Sequence, residues 1–133
     1  MVELQFQAVG DVQYARHPHH ANGNPNKSQW NITLEDEIIV FQRSRSSGWT
    51  QDRFTWGIYF QANKVQYLGK ATDLTPLIYA KFVDSSRDSR WHGYPADHRN
   101  QSDKLPENVS LQWMELLGAP KIRKLLRGQP CKL

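Results

Sequence analysis

Residues 53–61, Arg-Phe-Thr-Trp-Gly-Ile-Tyr-Phe-Gln, alternate along their length. Phe54, Trp56, Ile58 and Phe60 share one face, and Arg53, Thr55, Tyr59 and Gln61 share the other. A period of two carried by this many aromatic side chains is the pattern of a half-buried β-strand. Only Ala62-Asn63 separates it from the next apolar run, Lys64-Val65-Gln66-Tyr67-Leu68, so a tight hairpin follows, with Asn63 tolerating a positive φ. A further strand is expected at 77–83, after Pro76.

Upstream, residues 3–9 alternate with Leu4, Phe6 and Ala8 on one side. Residues 37–43 (Glu-Ile-Ile-Val-Phe-Gln-Arg) form a β-branched apolar run that reads as a central strand. Consecutive strands with short links predict an antiparallel meander of about five strands.

Downstream of residue 105 the period changes. Pro106 and Glu107 suit a helix start, and Val109, Trp113, Leu116 and Leu117 fall on one stripe. Gly118 ends that helix, Pro120 opens a second with Ile122, Leu125 and Leu126 inward, and Gly128 and Pro130 close it. The expectation is one α+β domain over 1–133: mainly sheet in 1–83, a long loop at 84–105, and a helical hairpin at 106–128. Phe54, Trp56, Ile58, Phe60, Ile78, Phe82, Trp113, Leu116 and Leu125 are the expected core.

The charge is lopsided. Residues 1–115 hold 12 basic and 13 acidic side chains, whereas the last 18 residues hold five basic and no acidic ones, within a formal net charge of +4. Lys121, Arg123, Lys124 and Arg127 surround the apolar seam of the second helix and attract an anion without regard to sequence. The segment 116–128 resembles in part a helix-hairpin-helix motif, which binds a DNA backbone through a glycine-rich turn. It has one glycine, Gly118, where that motif has two. The resemblance implies phosphate contact at the turn. The loop Arg43-Ser44-Arg45-Ser46-Ser47-Gly48-Trp49 would extend such a surface, with Arg43 and Arg45 on phosphates and Trp49 on unpaired bases.

A different chemistry is suggested by Trp91-His92-Gly93-Tyr94-Pro95-Ala96-Asp97-His98-Arg99. Two His, a Tyr, an Asp and an Arg lie together: His92 and His98 titrate near neutrality, so one can take a proton and the other give one, Asp97 adds a carboxylate, and Arg99 can hold developing negative charge, as an RNase or phosphodiesterase would need. This requires the two imidazoles to converge on one substrate; otherwise the segment simply pins the chain to the sheet. His17, His19 and His20 are metal-ligand types, but no cysteine pair or nearby carboxylate completes a site, so no metal or other cofactor is expected. The acids Glu35, Asp36 and Glu37 lack the paired motif of a metal-dependent nuclease. No glycine-rich phosphate loop, serine elbow or dinucleotide fingerprint is present.

Cys131 is a lone cysteine, so no internal disulfide forms and a cytoplasmic location is the default expectation. No apolar run reaches membrane-spanning length, and the start Met1-Val2-Glu3-Leu4-Gln5-Phe6 lacks the pattern of a signal peptide. Cys131-Lys132-Leu133 resembles the peroxisomal Ser-Lys-Leu address, a three-residue match that carries little weight by itself. Four Asn-x-Ser/Thr triplets, at Asn26, Asn31, Asn100 and Asn108, follow from composition. Three functions are weighed: a small module binding RNA or DNA through its basic C-terminal helix, an RNase-like enzyme, and a protein-interaction or immunity-type module with an acidic partner.

Overall fold

Val40 crosses so close above Gly57 that a β-carbon at Gly57 would lie 2.7 Å from Val40 Cγ1. A helix therefore packs directly on the aromatic strand. The structure is a computed structural model and describes residues 4–130 and 132–133. Glu3 of the first expected strand and Cys131 of the C-terminal triplet lie outside the described residues.

The chain runs through β1 (Gln7–Val9), β2 (Val12–Tyr14), a 3-10 turn at Pro18–His20, β3 (Gln29–Trp30) and α1 (Leu34–Ser46). It continues through β4 (Thr50–Gln51), β5 (Phe54–Gln61), β6 (Lys64–Gln66), β7 (Gly69–Lys70), β8 (Pro76–Leu77), β9 (Tyr79–Val83) and β10 (Arg90–Ala96). A second 3-10 turn at Gln101–Asp103 leads into α2 (Glu107–Leu117) and α3 (Ala119–Leu126). The larger sheet has the order β1-β2-β10-β9-β5-β4, with β6 paired to β5, and β3, β7 and β8 form a small second sheet. Strand β10 runs parallel to β2 and antiparallel to β9.

The architecture is mixed α+β, and the antiparallel meander is corrected. Hairpin neighbours do pair, as β1 with β2 and β5 with β6. The latter hairpin turns through Ala62 and Asn63, both at positive φ as a two-residue turn demands. However, β10 inserts between β2 and β9, two strands far apart in sequence.

Three segments differ from expectation. Of residues 3–9 the strand takes only Gln7–Val9, and it buries Val9 while Phe6 and Ala8 are exposed. Residues 37–43 are helix, within α1, rather than a strand. Thr33 caps the helix by accepting from the Asp36 amide, and Glu35, Asp36 and Glu37 lie at its positive end. The buried positions Glu37, Val40, Phe41 and Ser44 recur at helical spacing. Residues 84–105 are not one long loop, because β10 occupies 90–96. Its Gly93 and Pro95 mask the strand pattern. Proline is tolerated here because β2 pairs with β10 only at Arg90 and Trp91, leaving that edge of Pro95 free of the β2 ladder.

The sheet is covered on both faces. Trp56, Ile58 and Tyr79 face α2 and α3, packing with Val109, Trp113, Ile122 and Leu125. Ala80, Phe82 and Trp91 face α1, packing with Val40, Phe41 and Tyr14. Of the expected core, Leu116 is 55% exposed. The inward face of α2 centres between Val109, Ser110, Trp113 and Leu117, about 75° round the helix from Leu116. Among the described residues, no helix is long and apolar enough to cross a membrane.

Candidate nucleic-acid interface

Gly118 joins α2 to α3 with φ 95° and ψ 134°, a backbone conformation that glycine adopts without the β-carbon penalty. Open space surrounds the position, so the requirement is conformational and not steric. Pro120 sits in the first turn of α3. Ile122 and Leu125 are buried, which fixes the rotation of α3 and turns its polar side outward. Arg123, Lys124 and Arg127 are exposed and Lys121 is half-buried. The far end is tied down: Lys104 Nζ donates to the Leu126 carbonyl at 2.9 Å, and His98 Nε2 lies 2.7 Å from the Gln129 carbonyl oxygen. Cation at a helix C-terminus is also favourable to the helix dipole.

Arginines in the rest of the fold commonly find carboxylates. Arg16 pairs with Glu37, Arg45 with Asp11, Arg87 with Asp52, and Arg99 with Asp73 and Asp97. Among the described residues, no ion pair involves Lys121, Arg123, Lys124 or Arg127. Beside α3 opens a groove of about 640 Å³, lined by Leu117, Pro120, Lys121, Lys124, Pro130 and Lys132.

The expected extension from residues 43–49 divides. Arg43 lies over the Phe60 ring at 5.0 Å, and Phe60 lines a neighbouring groove with Lys121. Arg45 turns to Asp11 in the β1–β2 turn and to the Trp91 ring. Trp49 is buried, edge-on to Trp113, with its indole N–H donating to Gln112 Oε1 at 3.1 Å. It offers no open face to a base.

The residues weighed for catalysis are not drawn to one point. His98 is 1% exposed, and its Nδ1 has no partner among the described residues. Arg99 is held by Asp97 and, through both terminal nitrogens, by Asp73, so its charge is already answered; it holds both carboxyls below their ordinary range. His92 projects from β10 toward His17, ring centres 6.1 Å apart. His17, His19 and His20 gather there, with His20 stacked on Tyr94 at 5.4 Å. Among the described residues, no group of three or more His, Cys, Asp or Glu is arranged to hold a metal ion. Glu35, Asp36 and Glu37 serve α1 instead, with Asp36 accepting from Tyr59 and Glu37 buried against Tyr14 and Arg16.

The sequence reading missed a smaller cleft, of about 180 Å³, among His20, Lys27, Ser28, Tyr94, Asp97 and Asp103. Tyr94 donates to Asp103 Oδ1 at 2.7 Å and Tyr79 to the Asp103 carbonyl at 2.7 Å. Its residues come from three distant segments, 20–28, 71–72 and 94–103, so no local spacing signals it.

Burial pushes the imidazoles down, His20 to about 4 from 6.5, with His17 and His92 also lowered. A base with a depressed folded pKa takes up protons on unfolding, so stability is full above about 6.5 and is lost as pH falls toward about 4. Urea midpoints measured across that window should fall with pH in the native protein and fall less in His20→Phe. Parallel curves for the two would show that His20 is not a source of the acid sensitivity.

No family model, curated protein or solved structure matches this chain.

Proposed function

We propose that this protein is a small nucleic-acid-binding module whose phosphate contacts come from α3. The observation that carries the reading is that Lys121, Arg123, Lys124 and Arg127 have no ion-pair partner among the described residues, on a helix that Ile122 and Leu125 lock into the core. Ammonium and guanidinium groups without carboxylate partners keep their full attraction for a polyanion, and displaced counterions drive association. The enzyme reading has less behind it, because His98 is sealed against the Gln129 carbonyl while His92 faces His17.

Four phosphate contacts predict that log K falls against log salt with a slope of about −3 to −4, and that each cation removed lowers the slope by about 1. The fourfold variant Lys121→Glu, Arg123→Glu, Lys124→Glu, Arg127→Glu should lose retention on a phosphate polymer at moderate salt. Circular dichroism should report an intact fold, since the substituted side chains avoid the buried seam. Retention equal to the native protein would reject the proposal.

A further inference from the structure

From the groove beside α3 we infer that the nucleic acid taken is single-stranded, with one unpaired base seated between Leu117, Pro120 and Pro130. This inference rests on the α3 reading and deepens it. A duplex backbone is a convex rail of phosphates, for which exposed cations on a helix suffice. Here the cations border a cavity instead. Its volume, about 640 Å³, is that of a small-molecule site rather than a shallow backbone track.

Its walls are of two kinds. Leu117, Pro120 and Pro130 are its aliphatic residues, and Lys121, Lys124 and Lys132 line the same groove. The matching ligand has a flat apolar body and anionic groups beside it. A nucleotide within a single strand has that form, its base offering apolar faces and its flanking phosphates answering the lysines. In a duplex every base is stacked and paired inside the helix, and extruding one costs both interactions. Trp49, the aromatic expected to stack on bases, is buried in the core, which leaves base contact to be made elsewhere, and the groove beside α3 adjoins the cations.

Fluorescence anisotropy on the full chain tests this with three probes of equal length, about a dozen nucleotides each: a single strand, its duplex, and a single strand of abasic residues. The intact single strand should bind at least about tenfold tighter than the abasic strand and than the duplex. Leu117→Asn, which keeps the branched shape and the number of side-chain heavy atoms but makes one wall polar, should lower single-strand affinity toward the abasic value and leave duplex affinity unchanged. The three-probe comparison needs no variant and decides the matter even if Leu117→Asn unfolds. Equal affinity for all three probes would overturn the seated base while leaving backbone binding by α3 intact. Binding to none of them would overturn the α3 reading itself.

Discussion

Replacing Glu37 by alanine is expected to lower unfolding free energy by about 3–5 kcal/mol, the cost of breaking a buried pair from one side. Glu37 is fully buried on α1. One carboxylate oxygen accepts from the Tyr14 hydroxyl, the other from Arg16 Nε at 2.6 Å. Arg16 also donates to the Ile32 carbonyl, and among the described residues this mostly covered guanidinium has Glu37 as its one carboxylate partner. Alanine would leave that cation, and the Tyr14 hydroxyl in a fully buried position, without their acceptor, and would open a cavity. The triple replacement Tyr14→Phe, Arg16→Met, Glu37→Leu removes every polar member together and should cost far less than the three single losses added. Urea denaturation measures both. A loss under about 1 kcal/mol for Glu37→Ala would mean that water reaches the site in solution.

Gly93→Ala should be nearly as damaging, at about 3 kcal/mol or more, the upper range for overpacking. A β-carbon at Gly93 would lie 2.2 Å from Phe82 Cδ1 and 2.8 Å from Cε1, with the Lys81 carbonyl oxygen at 3.0 Å. Phe82 cannot swing away: it is fully buried and ringed by Tyr14, Trp30 and Phe41. The pair Gly93 and Phe82 sit opposite each other across β10 and β9. Consequently Phe82→Leu in the Gly93→Ala background should recover part of the loss, a sign of coupling that two independent substitutions would not show. If Gly93→Ala melts within a degree or two of the native protein, the β9–β10 register described above is wrong.

These two residues also mark where sequence reading stopped. Glu37 belongs to an acidic triplet followed by Ile-Ile-Val-Phe, and the β-branched composition favours a strand. The helix wins because Thr33 caps it and because Val40 fits over Gly57, a contact between positions 17 residues apart. The cap was visible, since Asp36 follows Thr33 at capping-box spacing; the fit over Gly57 was not. Gly93 and Pro95 argue locally against a strand, and β10 exists because β9 and β2 flank it with free ladder positions.

Period and punctuation alone determined β5, its hairpin through Ala62-Asn63, and both C-terminal helices with the cationic side of the second. Each of these depends on neighbours within a few residues, where φ preference and apolar spacing act directly. Tertiary packing decided the insertion of β10, the burial of Trp49 and His98, and the answering of Arg99 by Asp73. It also decided that the cations of α3 keep no carboxylate partner among the described residues and border a groove. Charge in a sequence is a count, whereas a field depends on which opposite charges the fold brings within a few ångströms.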